Sequence, residues 1–176
     1  MTIMKSRKSE AAAAAAVLAR KYSNNTYIDT IICMDGCEVI GAYLADELTE
    51  SGIMSLNAHK TMYIVTPEVN PGGQLIFRDN MQMMIKNKHC ILLLASATTG
   101  RTVARAVECI QYYGGIMEGV SAIFSARDEI FGIDINYIFG KDTMADYRTY
   151  DANNCPMCQK GERIDAIVNS FGYSKL

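Results

Sequence analysis

The sequence predicts a single soluble α/β domain built on a parallel sheet flanked by helices, and three observations carry that prediction. Short apolar or β-branched runs alternate with stretches of helical spacing, the pattern of parallel strands joined by crossover helices. One run, Cys90 to Leu94 (CILLL), is apolar without a break, as in a strand covered on both faces. Finally, 176 residues with 49% hydrophobic and 20% charged side chains suit one domain with a real core.

The elements follow in order. Ser9 to about Tyr22 reads as a helix, because a six-alanine run followed by Val-Leu-Ala-Arg has high intrinsic propensity, with Ser9 as its expected cap. Tyr27 to Cys33 (YIDTIIC) is a buried strand that breaks at Met34-Asp35-Gly36. Val39 to Thr49 has helical spacing, closed by Gly52. Thr61 to Thr66 is a strand stopped by Pro67, and Pro67 to Gly73 is a loop with two of the three prolines and a Gly-Gly pair. Gln74 to Phe77 is a brief strand. After the CILLL strand, Ala95 to Gly100 is a turn and Thr102 to Tyr113 a helix ended by Gly114-Gly115. Val120 to Phe124 and Ile135 to Phe139 are two further strands. The expected organisation is one domain over 1–176, with an N-terminal helix within 1–25 and an irregular C-terminal tail over 141–176.

Bulk composition narrows the function. The net charge of −2 supplies no basic field for nucleic acid, and no apolar run approaches a membrane span of roughly 20 residues. Six cysteines without a secretory signal read as reduced thiols in the cytoplasm.

Chemistry concentrates at Ile91 to Thr102 (ILLLASATTGRT). A buried strand ends, small residues turn the chain and a helix begins. Ligands of parallel α/β sheets bind beyond the carboxyl ends of the strands, where backbone N–H groups of a new helix favour an anion. Thr98, Thr99 and Thr102 add hydroxyls, Arg101 a cation, and Gly100 allows close backbone approach. This pattern describes a phosphate cradle; a plain threonine-capped turn is the other reading. Neither a Walker loop nor G-x-G-x-x-G fits the spacing.

The run Thr98-Thr-Gly-Arg-Thr102 after an apolar strand resembles the phosphoribosyl-pyrophosphate motif of type I phosphoribosyltransferases. Other segments fall in that family's order. Ile31 to Ala45 (IICMDGCEVIGAYLA) resembles its first strand, pyrophosphate loop and helix, so that Asp35, Gly36 and Cys37 would form the pyrophosphate loop. Pro67 to Phe77 sits where the family carries a flexible hood, and Lys86 to Leu93 resembles the lead-in to the central strand. Ser125-Ala-Arg-Asp-Glu resembles the segment where orotate phosphoribosyltransferases have Asp-Arg, which would make Arg127 a substrate contact. Tyr147 to Gly161 resembles a Cys-Pro-x-Cys tail found in some orotate-type proteins. The resemblance covers roughly residues 9 to 165. It implies a type I phosphoribosyltransferase-like (Rossmann-like) fold and a homodimer. It also implies a phosphate ligand, Mg²⁺ accompanying phosphoribosyl pyrophosphate, and a phosphoribosyl transfer to a base such as orotate in pyrimidine biosynthesis.

The sequence departs from that pattern where charge matters. The family's two ribose-holding acids fall on Leu94 and Ala95, neither of which accepts a hydrogen bond through its side chain. Asp35 and Glu38 put carboxylates where pyrophosphate would lie, and the hood lacks Lys and Arg, with Arg78 just beyond it. The Asp of the Asp-Arg pair is Ala126. No residue is therefore assigned as catalytic. An alternative reading is a catalytically impaired relative that binds a nucleotide or sugar phosphate as a sensor or structural subunit. Cys155-Pro-Met-Cys158 supplies only two of the four ligands of a structural zinc site, so the sequence favours a turn with two thiols and no metal centre. His59 and His89, the cluster Met81, Met83 and Met84, and the Tyr147-Arg148-Tyr150 group read as structural or as an exposed tail, with a ligand lid as the other reading for the last.

Overall fold

The computed structural model describes residues 1–22, 26–50, 56–58, 60–144, 146–169 and 172–176. Helices α1 (Thr2–Ser6) and α2 (Lys8–Ala19) lead into β1 (Thr30–Cys33), α3 (Glu38–Glu50) and β2 (Tyr63–Val65). A small hairpin of β3 (Glu68–Val69) and β4 (Leu75–Ile76) and the one-turn α4 (Asp79–Gln82) come next. Then follow β5 (His89–Ala97), α5 (Arg101–Tyr112), β6 (Ile116–Ser125), β7 (Glu129–Ile130) and β8 (Ile133–Phe139). The chain finishes with α6 (Pro156–Gln159) and the strands β9 (Ala166–Asn169) and β10 (Gly172–Lys175).

The main sheet has six strands in the order β2-β1-β5-β6-β8-β7. All neighbours are parallel except the edge pair β7–β8. The sheet is therefore parallel as the sequence implies, with one antiparallel edge that it does not reveal. Phe131 and Gly132, at φ of 53° and 78°, form the two-residue turn that reverses the chain there, and so short a turn can join only antiparallel strands.

Apolar side chains of β5 feed two cores. On one face Ile91, Leu93 and Ala95 pack with Ala11, Ala14, Ala15 and Leu18 of α2 and Ile40 and Leu44 of α3. On the other, Leu92 and Leu94 pack with Val103, Ala106 and Ile110 of α5 and with Phe77 and Ile85. Each large side chain so buried contributes about 1.5–3 kcal/mol. The alanines set a short distance between α2 and α3. Gly41 does the same for α3 on β1, since a Cβ there would lie 2.5 Å from Cys33 Sγ. A polar network anchors α2 to the sheet: Tyr22 and Ser121 share a hydrogen bond of 2.9 Å, and Asn136 Nδ2 donates to Leu18 O and to Ser121 Oγ.

Three sequence expectations change. The N-terminal segment forms two helices divided at Arg7, whose extended backbone makes it the cap of α2 without any side-chain bond, so Ser9 is not the cap. The central strand runs on through Ala97, and the turn is confined to 98–100. The tail carries a helical turn and a hairpin where an irregular segment was expected. Gly52 and His59 lie outside the described residues.

Candidate functional site

The carboxyl end of β5 delivers the chain into the turn of Thr98, Thr99 and Gly100. Gly100 adopts φ 85° as the residue capping α5, and a Cβ there would meet Ile130 Cγ2 at 2.7 Å. The left-handed backbone and the close approach both demand glycine. No side chain caps α5, so the N–H groups of its first turn keep the donor capacity that such termini direct at anions. The hydroxyls of Thr98, Thr99 and Thr102 have no side-chain hydrogen bond among the described residues. Thr99, Arg101 and Thr102 are exposed.

The loop after β6 lies against this turn. Ala126 N–H donates to Ala97 O at 2.8 Å, and Ser125 Oγ bridges to Arg127 O at 2.6 Å. Arg127 is thereby held beside the end of β5, exposed and, like Arg101, without an ion-pair partner among the described residues. The segments 98–102 and Arg127, which sequence reasoning assigned to a 5′-phosphate and to a base, thus lie beside the same strand end.

The loop after β1 behaves differently. Asp35 and Gly36 both take positive φ, 57° and 74°, and Cys37 N–H closes the turn on Met34 O at 3.1 Å. Into it reaches Lys5 of α1, itself buried, whose ammonium donates to Asp35 O at 2.5 Å. Cys37 is fully buried. Burial, opposed by the Lys5 ammonium, pushes its thiol up to about 12, so it is no nucleophile at neutral pH. Lys5 is the residue that sequence reasoning missed. It sits thirty positions away, in a basic run that resembles ordinary surface. Its charge faces a loop where the sequence shows only carboxylates.

Leu94 and Ala95, at the positions of the family's ribose-holding acids, are 0% and 6% exposed. They pair within the sheet and point to opposite faces, Leu94 into the core beneath α5 and Ala95 into the core beneath α2 and α3. The register Cys33↔Leu93 ends β1 four residues, roughly 13 Å along the strand, short of the end of β5.

The remaining candidates fall away from these turns. Arg78 forms an exposed ion pair with Glu68 at 2.6 Å across the base of the β3–β4 hairpin. That hairpin leans on α5, enclosing with Arg105, Glu108, Tyr112 and Tyr113 a cleft of about 690 Å³. His89 stands at the opposite, amino end of β5, bonded through Nδ1 to Glu118 at 2.6 Å. Met81 and Met84 fill core space and Met83 is exposed. The Tyr147 ring lies 4.9 Å from that of Phe124 near the end of β6, while Tyr150 is exposed. The backbone N–H of Cys158, donated to its sulfur, holds the Cys155 thiol below its usual range, and Cys158 is raised by its bond to Cys155. Among the described residues no helix is long and apolar enough to cross a membrane, and no three acidic, His or Cys side chains converge as metal ligands.

No family profile matches the chain, and no curated protein matches it. Solved structures do. The adenine phosphoribosyl transferase of Trypanosoma brucei, in complex with AMP, pyrophosphate and ribose-5-phosphate, superposes with a TM-score of 0.54 at 12% identity, over 88% of this chain and 77% of that one. The adenine phosphoribosyltransferase of Thermoanaerobacter pseudethanolicus gives 0.51 at 16% identity, over 72% and 77%. A UMP synthase from Leishmania donovani aligns over 74% of this chain but only 28% of its own, with a TM-score of 0.48. At such identities the likeness establishes the fold, that of the type I phosphoribosyltransferases.

Proposed function

We propose that this chain, built on the type I phosphoribosyltransferase fold, is an orotate phosphoribosyltransferase-like protein. Its Thr98–Thr102 turn takes the 5′-phosphate of a phosphoribosyl compound, and the reaction is transfer of that phosphoribosyl group from phosphoribosyl pyrophosphate to a nucleobase such as orotate. One observation carries the reading. At the carboxyl end of the central strand, three hydroxyls without a hydrogen-bond partner among the described residues and the uncapped N-terminus of α5 stand beside two arginines that have no ion-pair partner among those residues. Hydrogen bonds to a charged phosphate are worth about 1.5–3 kcal/mol each, so each one kept raises affinity by about tenfold to hundredfold. Arg127 would pair with the base's carboxylate, and Lys5 would place a cation near the leaving pyrophosphate. Among the described residues of that loop, Asp35 and Glu38 are the carboxylates that would be available to Mg²⁺. Such a sparse set suits an ion carried mainly by the ligand's own phosphates, where it would neutralise their charge. The six free thiols suit the cytoplasm, and a homodimer is part of the same reading.

A second reading is favoured by the burial of Leu94 and Ala95. With no carboxylate at those two positions to hold the ribose hydroxyls, the protein would bind the 5′-phosphate of a nucleotide or sugar phosphate without catalysing transfer, as a sensor or regulatory subunit. Calorimetric titration with phosphoribosyl pyrophosphate and with orotidine monophosphate, each with Mg²⁺, followed by an assay of pyrophosphate release with a panel of bases, tests both. Binding with release supports transfer, and binding without release supports the second reading. If neither compound binds, both readings fall.

A further inference from the structure

The cleft between the β3–β4 hairpin and α5 is used by neither strand-end turn. Its volume of about 690 Å³ falls in the range of small-molecule sites. Two contacts fix its base. Cys109 Sγ donates to Leu75 O at 3.3 Å, and the Tyr113 ring meets Phe77 at 5.4 Å in an edge-on arrangement. Leu75 and Tyr113 both pack on the core beneath α5, so the floor of the cleft is anchored in the fold. At the other end the hairpin turns through Gly72 and Gly73. Gly73 takes φ 77°, and a Cβ there would lie 3.9 Å from Arg105 Nη1.

Along α5 the cleft presents a cation, a carboxylate and an aromatic ring, in that order. Arg105 and Glu108 are exposed, and neither side chain has an ion-pair or hydrogen-bond partner among the described residues. They stand three residues apart, a spacing at which opposite charges pair on a helix, yet they do not close on each other. The Tyr112 ring is 84% exposed and stands at 89° to that of Tyr113, with centroids 5.1 Å apart. It is a buttressed ring with most of its surface in water. From Arg105 to Tyr112 the helix rises about 10 Å, comparable to the length of a mononucleotide.

A ligand matching that order carries an anion at one end, hydroxyls in the middle and a planar ring at the other. A guanidinium suits a phosphate, and a carboxylate accepts from ribose hydroxyls. A tyrosine ring stacks any base. A free amino acid would answer the two charges but leave the Tyr112 ring and most of the volume unfilled. We propose that this cleft binds a ribonucleoside 5′-monophosphate, with its phosphate on Arg105, its ribose hydroxyls on Glu108 and its base on Tyr112. No residue of the Thr98–Thr102 turn lines the cleft, so the site stands apart from that turn and from the function assigned to it.

The test is calorimetric titration of the full chain with AMP, in the parent and in a Thr99→Ala, Thr102→Ala double variant that weakens the turn. AMP should bind the double variant at one site per chain. Added to it, Arg105→Gln should lower affinity by tenfold or more, and Tyr112→Ala by about fivefold to hundredfold. The double variant should prefer AMP to its 2′,3′-dideoxy analogue, and Glu108→Ala should erase that preference. All three side chains are exposed, so denaturation midpoints should stay at the parent value and separate lost binding from lost folding. Three outcomes overturn the proposal. One is AMP binding that the double substitution abolishes and Arg105→Gln and Tyr112→Ala leave intact, which keeps the turn as the nucleotide's site. The others are no AMP binding at all, and inorganic phosphate binding the double variant as tightly as AMP.

Discussion

Two strand-to-helix turns, on neighbouring parallel strands, meet the same problem in opposite ways. The turn after β1 is closed by its own chain: Lys5 donates to Asp35 O and Cys37 is buried beneath it. The turn after β5 is left open, its threonine hydroxyls without partners among the described residues and its helix uncapped. Both have a positive-φ residue and both begin a helix. Turn geometry therefore does not mark a binding site. What distinguishes the two is whether the protein satisfies its own polar groups.

That contrast can be broken at several points. Leu94→Asp, an attempt to restore a ribose acid, would bury a carboxylate in an apolar cluster. It should cost about 4 kcal/mol or more, read as a lowered denaturation midpoint. A stable variant with new transferase activity would show that the strand end rearranges. Gly100→Ala combines a left-handed backbone with a contact on Ile130. A loss of roughly 2–4 kcal/mol is expected, with loss of phosphate binding, and unchanged stability would mean the open turn is not held as described.

Smaller effects separate binding from folding. Thr99→Ala with Thr102→Ala should weaken phosphoribosyl pyrophosphate binding by about tenfold to hundredfold while denaturation shifts by no more than ~0.5 kcal/mol. Equal losses in both measurements would assign the hydroxyls to the fold. Lys5→Met should cost about 1–3 kcal/mol of stability, because Asp35 O loses its donor, and should leave inorganic phosphate binding at the open turn within error. If phosphate affinity falls as well, the two turns are coupled through β1 and β5.

Much of the fold was legible because the central strand announces itself. CILLL cannot be half-exposed, and the helix after Gly100 shows its buried face as Val103, Ala106 and Ile110. The threonine turn and Arg127 were legible for the same reason, as both lie within a few residues of strand ends. Lys5 was not, since its role depends on a helix docking thirty residues away, and no local spacing records that. The extension of β5 through Ala97 was hidden because Ala-Ser-Ala reads as a turn. Its strand character comes from pairing with Phe124 and Ser125 of β6. The edge strand β7, only two residues long, is set by the Phe131-Gly132 reversal rather than by strand propensity.

The brevity of α1 has a consequence for motion. Five residues cannot hold a helix in water unaided, so α1 should open and close by itself, at a free-energy cost below that of unfolding the sheet. Each opening withdraws the Lys5 ammonium from the Asp35 turn. Amide protons of α1 and of residues 35–37 should therefore exchange together, ahead of those in β5, and more readily as the temperature rises. The order of the closed turn is then set by how often a single helical turn comes loose.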